Sequence, residues 1–583
     1  MSDRATRWAA PLVAILGLAT SLPSIVNQFT YDDRFIIEIN PVMKSLRGWW
    51  RGFGHSYWPK IWGGDGYRPL TILAFKIQWA IGHGSPVVFH AMNIALYMLV
   101  SVLVFLLAKR ILPVWAAWIV GALFAVHPVH VEAVANVVGQ SELLVAAMLL
   151  GALLLYLRDR QQGVLGAKTQ IGITALYAIA LLSKEHAIVL PALLLACEAT
   201  LVEDTVPLVR RISAQRWLYV SLGAVALSFI LIRGSVLSDH AFGGFQPFVP
   251  FTTLHISRRD RILTAFSVVP QWLRLLYWPA HLSAEYGPPD IDLAQGFALW
   301  QLPGMAVLAS IIGVGFYARR RQPVIAFGIA FACIALLPSS NFVLPAGIIL
   351  AERTLFLPSV GAMLILGAVA VYCADVAARR HALRSFSVSA GAACALLLGA
   401  GIARSVLRDR KWRDNETLFR QSVVDSPRAY RSHFMLGSWA FENHRPSEGE
   451  RELRRALNLF PYDPFVAFAM AEQYRNAGRC PAAMPMYRWM LDIDRNFALG
   501  FTGYSICLLE TGRYPEAKAM ALDAMRHNGD TTDLRRIIAL ADSVLAEQGS
   551  VRSAPPTGLA PGPGKVPDSM QKTAEKRSAQ PRD

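Results

Sequence analysis

Two adjacent carboxylates, Asp32 and Asp33 in the string YDDRF, are the residues of this chain best suited to acid–base chemistry. Neighbouring acids resist joint ionisation, so one keeps its proton to higher pH and can act as a general base toward a hydroxyl. The pair also offers oxygen ligands to a divalent cation, although spacing fixes no further ligand. A solvated turn with an Asx cap would use the same two residues. Further groups put charge where charge is scarce. HPVHVEAV holds His127, His130 and Glu132. Its histidines are three apart and share a helix face, which suits phosphate or sugar hydroxyls, or a metal if another ligand joins them. Glu142 in VVGQSELL could face the interior of a bundle or simply complement a helix N-terminus. SKEHA contributes Lys184, Glu185 and His186. The lysine suits a phosphate as a mobile point charge, and a Lys–Glu pair capping a hairpin is the plainer reading. AERTLFLPSVG contributes Glu352 and Arg353, an anion-binding arginine or an internal ion pair. Arg68 in YRPLT is one more candidate cation.

The elements that must position these groups are apolar. Of 583 residues, 54% are hydrophobic and 17% charged, against about 25% charged in a typical soluble protein. The deficit is confined to the stretch before about residue 405. The net charge of +16 sits in short loops such as RDR at 158–160 and RRR at 319–321. That is the positive-inside pattern of a membrane protein, and no basic stripe interleaved with aromatics points to nucleic acid. The expected fold is all-α: a polytopic bundle of about eleven spans in residues 1–405, followed by an α-solenoid. The spans are expected near 8–26, 87–108, 113–127, 140–157, 170–184, 186–202, 217–233, 299–318, 323–338, 355–376 and 386–404.

Two long stretches fall between spans. Residues 27–86 carry the acidic motif and an interfacial helix at 67–82; residues 234–298 contain 262–279, which holds Pro270 and Arg274 and is expected to lie at the interface or re-enter rather than cross. Arg4 and Arg7 hold the N-terminus in the cytoplasm on this reading, and an odd number of spans puts everything after Ala403 on the far side. All five charged groups then fall on that far face, where their convergence suggests one cavity.

Residues 406–545 read as a repeat domain. GRCPAA at 478–483 and GRYPEA at 512–517 stand 34 residues apart, as do Pro427 and Pro461. A period of 34 with small residues at helix crossings is the tetratricopeptide pattern, and about three repeats fit. Cys480 and Cys507 could pair in an oxidising compartment. Residues 546–583, rich in Pro, Gly, Ser, Lys and Arg, are expected to be disordered.

In order along the chain, YDD, YRPLT, FHAMN, FAVHPVHVEAV, GQSELL, SKE and AERTLFLPSVG resemble the transmembrane and tetratricopeptide-repeat O-mannosyltransferase family and its bacterial relatives, over most of residues 8–530. RGS, ILTAF and HLSAEYGP within 233–292 resemble that family's middle region. The resemblance implies a C-type glycosyltransferase fold, a sugar donor on polyprenyl or dolichyl phosphate, and an acceptor site facing the lumen or periplasm. It places the catalytic acids at Asp32 and Asp33, and the animal members' protein Ser/Thr mannosylation suggests a protein or peptide acceptor on the repeats. The expected site is a bacterial inner membrane, with the repeat domain periplasmic. The chain departs from the family in its short repeat array and in GQSE where GR followed by an acid is expected. Two other readings stand beside this one. A non-catalytic scaffold would use the repeats to recruit envelope proteins, and a transporter or flippase would place its charges near the bilayer midplane.

Overall fold

A computed structural model describes residues 3–59, 65–163, 165–202, 206–238, 256–494, 497–528 and 532–553. The expected all-α architecture is present. Helices α1 (Asp3–Ser21), α2 (Pro69–Gly82), α3 (Pro86–Ile111), α4 (Val114–Ala125), α5 (Val131–Ala135) and α6 (Gln140–Arg160) form the first half of the membrane bundle. They are followed by α7 (Ala167–Ser183), α8 (Leu190–Thr200), α9 (Leu208–Ala214), α10 (Arg216–Leu237), α11 (Arg258–Tyr277), α12 (Leu302–Ala318), α13 (Pro323–Leu336), α14 (Pro358–Arg379) and α15 (Leu383–Asp409).

Among the described residues, seven helices are long and apolar enough to cross a membrane, or eight if the bent pair Val114–Ala125 and Pro128–Ala135 is one span. The expected eleven exceeds this. The apolar helices α7 and α13 are shorter, and α8 has only 11 residues. Short helices of this kind are tolerated where other helices cover their ends. Helix α11 is not among the seven. Leu231, Phe316, Val388 and Leu396 on α10, α12 and α15 are exposed, the surface a lipid solvent would cover. Close crossing needs small residues: a Cβ on Gly328 of α13 would meet the Gly361 carbonyl of α14 at 2.7 Å.

The chain divides into two compact units, one comprising Met1–Met470 with Asp492–Asp494 and the other Ala471–Leu491 with Arg495–Asp583. After α16 (Asn415–Asp425), the first unit carries the helix pair α17 (Tyr430–Glu442) and α18 (Pro446–Leu459). Helix α18 buries Leu453, Ala456 and Leu457 and turns Arg451 and Arg454 outward, an amphipathic pattern of 3.6 period. Helices α19 (Pro464–Asn476), α20 (Cys480–Ile493), α21 (Ala498–Glu510) and α22 (Tyr514–Asn528) follow along the chain. First helices begin at 430, 464 and 498 and second helices at 446, 480 and 514, so the period of 34 is met in three repeats. Within the second unit Cys480 and Cys507 form a disulfide. Helix α23 (Thr532–Ser553) runs into the tail expected to be disordered, and the remainder of that tail lies outside the described residues, as do 239–255 of the long middle stretch.

Candidate functional site: a charged cluster around the acidic motif

The acidic motif is held by an elbow between α5 and α6. A Cβ on Gly139 would lie 2.2 Å from the Ala133 carbonyl oxygen, so the chain can fold back this tightly only with glycine there. Asn93 of α3 braces the elbow, its amide donating to the carbonyls of Val134 at 3.1 Å and Val137 at 3.3 Å. The elbow's own N–H groups then face Asp33. Val137 donates to one carboxylate oxygen at 3.1 Å and Val138 to the other at 2.8 Å, while Thr30 donates at 3.2 Å. Asp33 is fully buried. Burial pushes its carboxyl up to about 8 against the opposing pull of these three donors.

Asp32 is different. It is half-buried, and no described residue donates a hydrogen bond to it. Its pKa is raised to about 6 by burial, with Arg353 and Arg431 pulling it down and Glu285 and Glu132 pushing it up. The preceding Tyr31 adopts a left-handed backbone, φ +56°, which a bulky residue takes only when its surroundings hold it there. Its N–H donates to Asn415 of α16 at 2.8 Å, its hydroxyl donates to Glu285, and its ring meets Trp412 edge-on. This turn sends the two consecutive carboxylates into separate surroundings.

The candidate cations belong to one electrostatic cluster with the acidic motif. Arg353 pairs with Glu132 through Nη1, and its backbone N–H donates to the same carboxylate at 2.9 Å. Glu132 holds that place because α5 runs straight out of the HPVH turn. Lys184 pairs with Glu142 at the start of α6, and His186 Nε2 lies 3.3 Å from the other oxygen of Glu142. Arg68 donates to Glu185 at 3.0 Å and stacks over the Tyr57 ring at 4.5 Å from its centroid. Arg68 and Lys184 are also electrostatic neighbours of one another, and Lys184 of Arg353. The strings quoted from across the chain therefore form one network.

Glu352 faces away from its sequence neighbour Arg353. It accepts from the Ser283 N–H at 2.6 Å and the Tyr286 hydroxyl at 2.7 Å, with Arg408 at 3.6 Å, and burial lifts its carboxyl to about 7. His127 and His130 have no ring nitrogen left for a ligand. His127 accepts from the Val129 N–H at 3.3 Å and donates to the Leu276 carbonyl at 3.0 Å. His130 bonds Tyr97 Oη at 3.0 Å and Ser359 Oγ at 2.8 Å. Among the described residues no three His, Cys, Asp or Glu side chains gather as a metal site.

Sequence reasoning missed Tyr31, Glu285, Arg408 and Arg431. Arg431 of α17 donates to Glu285 at 3.1 Å, and Arg408 of α15 donates to Asp425 of α16 at 3.0 Å. Glu285 stands in HLSAEYGP, and an acid in an otherwise apolar loop segment was the signal available for it.

Fold and site together define a polytopic α-helical membrane protein with a charged cluster and a tetratricopeptide array. The chain is 27% identical over 482 residues to the protein O-mannosyl-transferase TMTC4 of Homo sapiens, a match covering 74% of this chain and 63% of that one. It is 27% identical over 537 residues to the protein O-mannosyl-transferase Tmtc1 of Drosophila melanogaster, covering 74% and 59%. A stretch of 170 residues is 38% identical to the protein O-mannosyl-transferase Tmtc2 of Drosophila melanogaster, covering 27% and 18%. The chain's homologues are thus the transmembrane and tetratricopeptide-repeat O-mannosyl-transferases. It spans about six-tenths of the length of the first two. No family model matches it. Its likeness to the solved Sgt2 TPR domain from Aspergillus fumigatus, at TM-score 0.20 and 15% identity over 24% of this chain and 93% of that one, is too low to bear on the fold.

Proposed function

We propose that the chain is a membrane glycosyltransferase that moves mannose from a polyprenyl-phosphate carrier to a protein serine or threonine. The observation that carries this reading is Asp32, a carboxylate facing two arginines with no hydrogen-bond donor among the described residues and with burial raising its pKa to about 6. A group of that pKa is ionised at neutral pH yet basic enough to take a proton. In the reaction the acceptor hydroxyl gives its proton to Asp32 as its oxygen bonds to the sugar's anomeric carbon. The bond from that carbon to the phosphate oxygen breaks on the opposite side, and the polyprenyl phosphate leaves with the electron pair, inverting the centre. Arg353 spends Nη1 on Glu132, which leaves guanidinium N–H groups for the departing phosphate. Lys184 and Arg68 supply further positive charge. Asp33 anchors the motif to the elbow.

The donor's lipid tail stays in the bilayer while its phosphate reaches the charged cluster. The disulfide between Cys480 and Cys507 supports placing the repeats in an oxidising, non-cytoplasmic compartment. A purely scaffolding chain has no use for a half-buried acid that faces Arg353 and Arg431 with no hydrogen-bond donor among the described residues.

The test is transfer of labelled mannose from polyprenyl-phosphate mannose to a Ser/Thr-containing peptide by the purified full chain in proteoliposomes. Transfer is expected to fall as pH drops through about 6, because protonated Asp32 cannot accept the hydroxyl proton. No transfer at any pH from 5 to 9, in a chain shown to be folded, would remove the reading. Repeating the assay with a chelator tells whether a divalent cation accompanies the donor phosphate.

A further inference from the structure

Tetratricopeptide arrays ordinarily bind other proteins through their concave face. The first repeat of this chain is placed for a different task. Its helices α17 and α18 belong to the same compact unit as the membrane bundle. Tyr430, at the start of α17, donates its N–H to the Pro288 carbonyl at 3.0 Å, and Arg428 just before it donates to the Pro289 carbonyl at 3.1 Å. These bonds fix α17 against the segment that carries Glu285. Arg431, one residue on, donates to Glu285 at 3.1 Å with only 16% of its side chain exposed. The other oxygen of Glu285 takes the Tyr31 hydroxyl. From α16, Asn415 accepts the Tyr31 N–H, and Arg34 beyond the motif pairs with Glu442 at the end of α17. The acidic motif is therefore clamped on one side by the elbow of α5 and α6, and on the other by α16 and the first repeat.

We infer that the first repeat is a wall of the active site, and that Arg431 is a positioning residue which, through Glu285 and Tyr31, sets the charge environment of Asp32. This rests on the transferase reading above. The groups facing Asp32 come from every neighbouring element: Arg431 from α17, Glu285 from the middle segment, Arg353 from the turn before α14, and Glu132 from α5. Its own segment adds Asp33 and Tyr31, and Tyr57 comes from the first long loop. Of these, Arg431 and Glu285 act on Asp32 with opposite sign. Removing the arginine makes the carboxylate harder to ionise, and removing the glutamate makes it easier.

The experiment compares pH profiles of kcat/KM for the full chain and for Arg431→Gln, Arg431→Lys and Glu285→Gln, using polyprenyl-phosphate mannose and the same peptide. The acid limb is expected to move up by roughly 1 pH unit in Arg431→Gln and down in Glu285→Gln. In Arg431→Lys it stays near its original place because the charge is kept. Loosened packing cannot displace a titration in opposite directions at two contacting residues, so the paired shifts distinguish positioning from mere support. Folded variants whose limbs stay fixed, or both move the same way, overturn this inference and leave the transferase reading standing. An unmodified chain that transfers no mannose overturns both. If Arg431→Gln does not fold, Glu285→Gln alone decides, since an unmoved limb there removes the proposed coupling.

Discussion

The two ends of helix α6 carry two buried ionic clusters that differ in one respect. With 21 residues, the helix is about 30 Å long, the thickness of a bilayer's hydrocarbon core. At its C-terminal end, Glu198 of α8 is fully buried and every bond it can accept is filled. Arg160 donates at 2.8 and 3.0 Å, Arg211 at 3.2 Å and Tyr156 at 2.6 Å. At its N-terminal end, Glu142, Glu185, Glu132 and Asp33 each accept at least one hydrogen bond, but among the described residues none donates to Asp32. A saturated buried acid is a fastener, because any proton or ligand must first displace its partners. An acid held close to cations but bonded to none stays available for a proton, and that difference separates a structural cluster from a reactive one.

The largest break in this comparison is expected from Arg353→Ala. It strips a buried partner from Glu132 and, on the proposed mechanism, a contact from the donor phosphate, so transfer should fall about a thousandfold. Arg353→Lys should recover only part of this, because an ammonium cannot reproduce the fork. Glu198→Ala attacks the other end. It leaves Arg160 and Arg211 facing one another without a counter-charge, and should cost about 3–5 kcal/mol. This would appear as a lower Tm in detergent, with unchanged kcat in the protein that remains folded. An equal loss of kcat would mean that the two ends are functionally coupled. The smallest effect is expected from Cys480→Ser, which opens the disulfide of the second unit. It should cost about 2–4 kcal/mol, seen as earlier melting of the repeat array, and leave the chemistry of transfer intact.

How much of this was legible in the sequence follows from what each feature depends on. The paired acids, the cationic strings and the period of 34 are local, so residue type and spacing revealed them. The division of labour between Asp32 and Asp33 was not local. It depends on where an elbow more than a hundred residues away points two N–H groups, and on a left-handed tyrosine that no spacing announces. Arg431 was invisible for another reason. An arginine at the start of an amphipathic repeat helix ordinarily faces water, and only the docking of α17 on residues 285–289 turns it inward. The histidines erred in the opposite direction: types suited to ligand binding proved to be spent on carbonyls and hydroxyls of the bundle. Hydropathy did not show helix length: the expected spans at 170–184, 186–202 and 323–338 meet helices too short to cross by length alone, because apolar runs form short helices as readily as long ones, as α8 illustrates.

The most direct test sets Asp32→Asn beside Asp33→Asn, with transfer rate and melting temperature measured on both. Asp32→Asn should lose at least about a hundredfold in rate with its melting unchanged, because a base is gone and no bond is broken. Asp33→Asn should melt earlier, its amide now opposing backbone N–H groups, and keep its rate per folded molecule within about tenfold of the original. A folded Asp32→Asn that transfers mannose at the original rate would contradict the account.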